Sequence, residues 1–259
     1  MPDLARPAGS IRYHTTGSGA PALLLTHGFG ATSAMFERNL ATASARNQVV
    51  TWDIRGHGGS ASPVAADAYS AAAALEDMAA LIAALDLRRV VLGGHSLGGY
   101  LSLDYAIRHP GAVAALVLIG TGPGFRKDAA REEWNSRSVR TAEQLEERGA
   151  DALGGSSELN GGQHQDVAGL AMAARYTLTQ HDSHVIDGLA AINVPALVIV
   201  GADDAPFQAS ADYLTAKLPR ARKVVIKAAG HAPNVDQPEQ FNAELRAFLD
   251  EINATGEFE

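Results

Sequence analysis

Ser96 stands in a sequence pattern that is typical of a catalytic nucleophile. The pentapeptide Gly94-His95-Ser96-Leu97-Gly98 reads G-x-S-x-G and follows an apolar, β-branched run at 90–92. In this pattern a serine occupies a sharp turn between a strand and a helix, and small residues on both sides of the serine prevent steric clashes. The pentapeptide alone is about as compatible with an ordinary Gly-rich turn as with a nucleophile. A catalytic role therefore requires an acid and a base elsewhere in the chain.

Candidates for the acid and the base follow two later apolar runs. Asp203 and Asp204 come after a run that ends at Val200. His231 comes after a run that ends at Ile226. Because the carboxyl ends of parallel strands lie at one edge of a sheet, residues that directly follow such strands converge in space. With the serine, these residues appear in the chain order serine, acid, histidine, which predicts a nucleophile, its orienting acid and its base.

The chain resembles the α/β-hydrolase superfamily over nearly its whole length. Besides the serine turn, His27-Gly28-Phe29-Gly30 resembles the superfamily's oxyanion loop, and residues 53–60 resemble its D-x-R-G-x-G-x-S turn. Gly230-His231 with Asp236-Gln237-Pro238-Glu239 resembles its histidine loop. The resemblance implies the α/β-hydrolase fold, an α/β architecture with a mostly parallel central sheet, helices on both faces and a helical cap insertion. It points to the small, capped members that act on esters, lactones or carbon–carbon bonds beside a ketone.

The resemblance also implies a role for each candidate site residue. Ser96 is the expected nucleophile, His231 the general base, and Asp204 the acid that orients the imidazole. We prefer Asp204 to Asp203 because it lies three residues after Gly201 and so matches the superfamily's G-x-x-D pattern. The backbone N–H groups of Phe29 and Leu97 are expected to form the oxyanion hole.

Alternating apolar runs and helical patterns predict the elements that position these residues. Strands are expected where apolar residues are continuous, and helices where they recur at helical spacing or follow a capping residue such as Ser33. Repeated strand, turn and helix units indicate a mostly parallel sheet covered on both faces. The expected strands are 10–16, 22–26, 48–53, 89–92, 112–119, 195–200 and 223–226, and the expected helices of the core include 33–45, 70–87, 96–109 and 238–249.

Residues 125–188, called here the inserted segment, differ from the rest of the chain. They carry more charge and no convincing strand, and helices are expected at 128–140, after the capping-box sequence Thr141-Ala142-Glu143-Gln144, and at 166–179. We expect this segment to form a helical cap on a core made of residues 1–124 and 189–259. Phe29, Trp134 and Tyr176 are the aromatic candidates for the walls of a substrate pocket.

Composition excludes several classes of partner and site. The chain has 259 residues, a net charge of −8 and no cysteine. An acidic surface repels nucleic acid and anionic membranes, and the lack of cysteine rules out disulfides and thiolate chemistry. No apolar run approaches the roughly 18 residues that a membrane helix needs, and residues 1–7 lack the apolar stretch of a signal peptide. We therefore expect a cytoplasmic protein with a small-molecule substrate; the oligomeric state is open.

The remaining histidines do not predict a metal or cofactor site. His57 is expected to make a structural hydrogen bond, and His95 to pack beside the site without acting as a base. His181 and His184 have helical spacing, but no third ligand accompanies them. The glycines around Ser96 do not form a nucleotide-binding pattern. We expect neither a metal nor a cofactor.

The sequence thus predicts a serine hydrolase that cleaves a small to medium carboxylic ester, or a related acyl substrate, through an acyl-enzyme on Ser96. A serine at the nucleophile position argues against haloalkane dehalogenases and epoxide hydrolases, which need a carboxylate there. The alternatives left open are a carbon–carbon bond or lactone hydrolase and a non-hydrolytic relative. The latter class comprises a cofactor-free perhydrolase or haloperoxidase-like enzyme, a lyase, and a ligand receptor.

Overall fold

The apolar runs of the sequence form one eight-stranded sheet in the computed structural model, which describes residues 2–159 and 162–254. The strands are β1 (Asp3–Leu4), β2 (Ile11–Thr16), β3 (Ala22–Thr26), β4 (Val49–Trp52), β5 (Val90–His95), β6 (Val113–Ile119), β7 (Ala196–Gly201) and β8 (Ala221–Ile226). Their order across the sheet is β1-β2-β4-β3-β5-β6-β7-β8. The β1–β2 and β2–β4 pairs are antiparallel, whereas every later pair is parallel. The predicted mostly parallel sheet is therefore confirmed.

Both faces of the central strands are buried, which explains their continuous apolar character. Successive side chains of a strand point to opposite faces. Accordingly, Leu24 and Leu92 belong to one hydrophobic cluster, while their neighbours Leu23 and Val91 belong to a second cluster on the other face. A parallel sheet with both faces covered by helices requires this pattern.

Helices cover the two faces in separate groups. Their bounds are α1 (Glu37–Ala43), α2 (Ala71–Ala84), α3 (Leu97–Arg108), α4 (Asp128–Arg148), α5 (Val167–Met172), α6 (His184–Gly188), α7 (Ala205–Lys217), α8 (Pro233–Asp236) and α9 (Pro238–Ala254). α2, α3 and α7 contribute Leu75, Leu101 and Leu214 to the first cluster, and α9 contributes Phe241 and Leu245 to the second. None of the helices in the described ranges combines the length and the apolar character needed to cross a bilayer.

In the region predicted as one helix at 33–45, the N-cap lies one residue earlier than expected. Thr32, rather than Ser33, is the N-cap, because its Oγ1 accepts the N–H of Ala34 at 3.3 Å. A 3₁₀ turn at Ser33–Phe36 then precedes α1. By contrast, Ser70 caps α2 as its position before the apolar pattern suggests, accepting the N–H of Ala73 at 3.0 Å.

The inserted segment lies between β6 and β7, and its described residues contain helices but no strand. The predicted break at Thr141 is wrong, since α4 runs through it to Arg148. Thr141 Oγ1 donates to the carbonyl oxygen of Arg137 at 3.1 Å within the helix, so it caps nothing. The predicted helix at 166–179 is α5 followed by a π-helical turn at Ala173–Thr177.

Two sets of hydrogen bonds join the parts of the inserted segment. The indole Nε1 of Trp134 donates to the carbonyl oxygen of Leu178 at 2.9 Å. Asn135 forms a reciprocal pair with Gln180: its Nδ2 donates to the backbone oxygen at 2.7 Å, and its Oδ1 accepts the backbone N–H at 2.8 Å. α4 is thereby fixed against residues 178–180.

Candidate active site

Ser96 occupies a strained turn between β5 and α3. Its backbone angles are φ 50° and ψ −111°, a left-handed conformation that a serine adopts only at a cost of about 1–3 kcal/mol. Hydrogen bonds hold the residue on both sides. Its N–H donates to the carbonyl oxygen of Ile119 at 2.9 Å, and its own carbonyl oxygen accepts the hydroxyl of Thr121 at 2.6 Å. The turn places the half-buried Ser96 side chain at the edge of the sheet, between the end of β5 and the start of α3.

The glycines of the serine turn are required by close backbone approaches. A Cβ on Gly98 would overlap the carbonyl oxygen of Thr26 in β3. A Cβ on Gly94 would overlap the carbonyl group of Gly98. The start of α3 thus lies directly against the backbone of two strands, which is possible only without side chains at these positions.

The substitution Gly98→Ala should destabilise the fold by about 3 kcal/mol, because the new methyl group meets fixed backbone atoms. Urea unfolding monitored by circular dichroism measures this loss as a lower midpoint. Gly111→Ala is the matched control, since a Cβ there would have no neighbour within 4 Å. Its free energy of unfolding should change by less than about 0.5 kcal/mol. Equal midpoints for the two variants would contradict the close approach.

The structure brings Asp204, not Asp203, to the imidazole of His231. His231 Nδ1 lies 2.9 Å from Asp204 Oδ2. Asp204 is 5% exposed at the start of α7, whereas Asp203 is exposed and donates its backbone N–H to Ala229. Because a carboxylate only accepts hydrogen bonds, Nδ1 carries the proton and Nε2 is left with a lone pair that can take a proton. This is the tautomer that a general base needs.

Ser96 and His231 belong to neighbouring loops at the same edge of the sheet. A Cβ on Gly120 would lie 3.2 Å from His231 Nδ1, and Gly120 directly follows Ile119, which holds the Ser96 backbone. Within the described residues no hydrogen bond joins Ser96 Oγ to His231. In unliganded enzymes such bonds are often long and tighten when substrate binds.

The loop after β3 passes alongside Ser96. A Cβ on Gly28 would lie 3.2 Å from Ser96 Cβ. The buried ring of His27 holds this loop, since its Nδ1 donates to Gly28 O at 2.7 Å and its Nε2 accepts the N–H of Ile54 at 2.9 Å. Phe29 is the next residue of the loop, and Leu97 is the first residue of α3, whose N–H has no acceptor within the helix.

The inserted segment is tied to this loop through His164. His164 Nε2 donates to Gly30 O at 2.9 Å, and its Nδ1 accepts the N–H of Gly58 at 3.0 Å. Gly58 belongs to the turn after β4, which Asp53 organises by accepting the N–H groups of Ser33 and Gly59, both at 2.8 Å. One side chain from the inserted segment therefore bridges two loops of the core.

Burial keeps a group of histidines neutral around the candidate site. It lowers the pKa of His27 and His164 and holds that of His57 and His95 well below the usual value of 6.5. His57 Nδ1 lies 3.1 Å from the carbonyl oxygen of Arg55, as expected for a structural hydrogen bond. Neutral rings are consistent with the acceptor roles of His27 and His164, because an imidazolium has no acceptor nitrogen.

The protein should lose stability as the pH falls below about 6.5. In the unfolded chain these histidines bind protons near that pH, whereas burial opposes protonation in the folded state. The unfolded state then binds more protons, so the free energy of unfolding decreases with decreasing pH. Each such histidine contributes about 1.4 kcal/mol per pH unit between its two pKa values.

Urea titrations at about pH 8, 6 and 5 measure this dependence. His57→Gln should flatten it by the contribution of one histidine. A free energy of unfolding that is the same across this range would show that these rings are not held neutral by the fold.

A cavity of about 260 Å³ opens beside Ser96. Trp134 lines it, whereas Phe29 and Tyr176 are not among its described lining residues. Phe29 instead packs edge-on against His57 with ring centroids 5.5 Å apart, and Tyr176 is 36% exposed. Much of the lining comes from the loop after β6 and from the first turns of α7, which the aromatic candidates did not include. The lining includes Ser96, Leu97, Tyr100, Thr121, Phe125, Trp134, Arg137, Leu178, Gln180, Pro206 and Phe207.

The histidine pair at His181 and His184 stays apart from the site. His184 Nε2 lies 3.7 Å from Asp104, and His181 lies within reach of the hydroxyl of Thr179. Across residues 2–159 and 162–254, no group of three or more His, Asp or Glu side chains is arranged to hold a metal ion.

Comparisons with known proteins agree with this architecture. A model of the alpha/beta hydrolase family matches residues 23–244. The "Putative carbamate hydrolase RutD" of Agrobacterium fabrum is 29% identical over 254 residues, which cover 90% of this chain and 95% of the relative. A thermophilic esterase from Thermogutta terrifontis has a TM-score of 0.81 at 25% identity, covering 96% of this chain and 97% of the esterase. A hydrolase from Pseudomonas aeruginosa PA01 has a TM-score of 0.74 at 28% identity, covering 96% of this chain and 97% of the hydrolase. Because the family model spans most of the sequence, the chain belongs to the alpha/beta hydrolase family.

Proposed function

We propose that the protein is a serine hydrolase that cleaves a small to medium carboxylic ester through an acyl-enzyme on Ser96. The observation that carries this proposal is the 2.9 Å contact between His231 and Asp204 at the sheet edge where the strained Ser96 turn opens into a cavity. Membership of a hydrolase family, and likeness to an esterase, support the same reaction class.

In the acylation step, Ser96 Oγ attacks the ester carbonyl carbon while its proton moves to His231 Nε2. Asp204 holds the imidazole through Nδ1 and stabilises the imidazolium that forms. The ester carbonyl oxygen becomes an oxyanion, which accepts hydrogen bonds from the backbone N–H groups of Phe29 and Leu97. Each such donor lowers the barrier by about 2.7–4 kcal/mol in measured cases. His231 then gives its proton to the leaving alcohol.

Deacylation repeats these steps with water in place of the serine hydroxyl. His231 takes a proton from water, the resulting hydroxide attacks the acyl carbon, and the carboxylic acid leaves as Ser96 regains its proton. No metal or cofactor is required for either step, and their absence from the reaction stays a prediction.

The cavity sets the expected substrate size. A volume of about 260 Å³ lies just below the range of about 300–1,000 Å³ typical of ligand pockets. Its aromatic lining, from Phe125, Trp134 and Phe207, suits an apolar acyl group. The inserted segment supplies Trp134 and so acts as the cap in this proposal. A cytoplasmic location stays a prediction from the sequence.

A fluorophosphonate probe tests the nucleophile directly. We expect one covalent adduct, mapped by mass spectrometry to the peptide that contains Ser96, and no adduct in Ser96→Ala. Failure of the wild-type protein to react, or reaction that persists in the variant, would refute the proposed nucleophile.

A substrate panel tests the reaction. We expect p-nitrophenyl acetate and butyrate to be hydrolysed with a higher kcat/KM than the decanoate, which is too long for the cavity. Lactones, carbamates and a carbon–carbon substrate with a ketone beside the cleaved bond belong in the same panel, since the triad serves all of them and a carbamate hydrolase is named among the relatives. Turnover confined to one of these classes would replace the ester assignment with that class.

A further inference from the structure

His95 makes a contact that the proposed mechanism does not use. It is the last residue of β5, directly before the nucleophile, and its side chain is 1% exposed. Its Nε2 lies 3.0 Å from the backbone carbonyl oxygen of His231. The two rings meet edge to face, with centroids 4.6 Å apart. The residue covalently next to Ser96 therefore touches the base at two points.

The direction of this hydrogen bond fixes the proton on His95. A carbonyl oxygen can only accept, so Nε2 must carry the hydrogen. Burial holds the pKa of His95 well below its usual value, so the ring is neutral and Nδ1 is bare. Nδ1 has no hydrogen-bond partner within the described residues and faces the backbone of Gly28, where a Cβ would lie only 2.5 Å away.

An orphaned buried nitrogen costs free energy, which a hydrocarbon side chain of similar size would avoid. Leaving such a group unpaired costs about 1–3 kcal/mol. A side chain whose only task is to fill space at position 95 would not need either ring nitrogen. The donor at Nε2 is thus the feature that distinguishes His95 from a packing residue.

The other contacts of His231 are made by its ring, while hydrogen bonds to the backbone hold its neighbours in the loop. Asp204 holds the His231 ring at Nδ1, and Phe207 packs on it with centroids 4.6 Å apart. These contacts orient the ring and do not involve the main chain of His231, whereas the carbonyl oxygens of Ala229 and Ala232 in the same loop accept backbone N–H groups. The preceding residue, Gly230, is held by its N–H to Asp236 Oδ2 at 2.8 Å. His95 restrains the carbonyl end of His231 itself.

We propose that His95 is a positioning residue that sets the separation of Ser96 and His231 by hydrogen bonding from the nucleophile's own turn to the backbone of the base. This inference rests on the proposed function. The side chains of Ser96 and His231 approach each other only when the serine turn and the His231 loop are correctly placed. Loss of the hydrogen bond between them therefore moves the base away from the serine. A displacement of about 1 Å can lower a rate about 100-fold.

The test compares two substitutions at position 95. His95→Met keeps similar bulk without a donor, and His95→Gln places an amide N–H near the position of Nε2. For p-nitrophenyl butyrate we expect His95→Met to lower kcat roughly 10–100-fold with KM nearly unchanged. His95→Gln should recover most of this loss. The fluorophosphonate labelling rate should follow kcat, and His109→Met, at an exposed histidine on the end of α3, should leave it unchanged.

A merely structural role predicts a different result. Both variants at position 95 would then lose thermal stability to a similar extent and show the same kcat per folded molecule, which would overturn the inference. Full activity of His95→Met would overturn it as well. If Ser96→Ala retained activity, the proposed function would fail, and that outcome is distinct from any result at position 95.

A second measurement needs no variant to fold. Two-bond ¹H–¹⁵N spectra of the wild-type protein, labelled at histidine, report which ring nitrogen carries hydrogen. We expect His95 to have hydrogen on Nε2 and a bare Nδ1 at neutral pH, with slow exchange of the Nε2 hydrogen because the group is buried. Hydrogen on Nδ1 would mean that Nε2 cannot donate to the carbonyl oxygen of His231, which would contradict the inference.

Discussion

Ser96→Ala should lower kcat for ester hydrolysis by about 10⁵–10⁶-fold. Without Oγ no acyl-enzyme can form, and only the oxyanion donors and the cavity remain to assist direct attack by water. The substitution should leave the fold intact, because alanine and serine meet the same backbone strain at φ 50° and the two hydrogen bonds that hold residue 96 come from its backbone. Single-turnover assays with p-nitrophenyl butyrate at high enzyme concentration measure the residual rate.

Ser136→Ala provides the control for this substitution. Ser136 is exposed on α4, and its loss should change neither kcat nor labelling by fluorophosphonate. Thermal unfolding should show similar midpoints for both variants and the wild type. A residual rate in Ser96→Ala within tenfold of the wild type would mean that another group attacks the substrate.

The sequence was most informative where a chemical role limits the residue types. A nucleophile on a strand-to-helix turn needs glycines around it, and Gly94 and Gly98 meet backbone atoms that no Cβ could avoid. The acid and the base of such a site follow strand ends, so only a few positions in the sequence were candidates for them. The parallel sheet could be predicted equally well, since strands buried on both faces are continuously apolar.

The helices of the inserted segment were harder to predict because the local sequence patterns there are compatible with more than one structure. Thr141 heads a capping-box sequence, yet its hydroxyl bonds back to Arg137 inside a continuous helix. What decides between these outcomes is tertiary packing: Ala142 and Leu145, just after Thr141, are buried with Leu170 of α5. No pattern along the chain specifies that contact.

Contacts between distant loops could not be predicted from the sequence either. His164 bridges Gly30 and Gly58, and His95 contacts His231 across 136 residues of chain. A lone histidine gives no sign of its partner. The pocket walls have the same origin, since Phe125 in the loop after β6 and Phe207 in the first turn of α7 reach the cavity only because both elements begin at the sheet edge where Ser96 lies.

Asp204→Asn should lower kcat about 10⁴-fold while leaving the fold intact. Asp204 accepts the proton-bearing Nδ1 of His231 at 2.9 Å. An asparagine amide placed with its NH₂ group towards Nδ1 would instead donate to it, which favours the tautomer with hydrogen on Nε2. That nitrogen could then no longer take the proton of Ser96, and the imidazolium would lose its counter-charge. Steady-state kinetics with p-nitrophenyl butyrate check the loss, and ¹⁵N spectra check the tautomer.

Asp203→Asn separates this mechanism from a general effect of removing negative charge near the site. Asp203 is adjacent in sequence and is exposed, and its structural contact is a backbone N–H that donates to Ala229. The substitution should therefore change kcat by no more than a few-fold. A larger loss at Asp203 than at Asp204 would reverse the assignment of the acid. Equal, small losses at both positions would mean that His231 works without an orienting carboxylate. A carboxylate that fixes the tautomer of His231 must lower kcat when an amide replaces it.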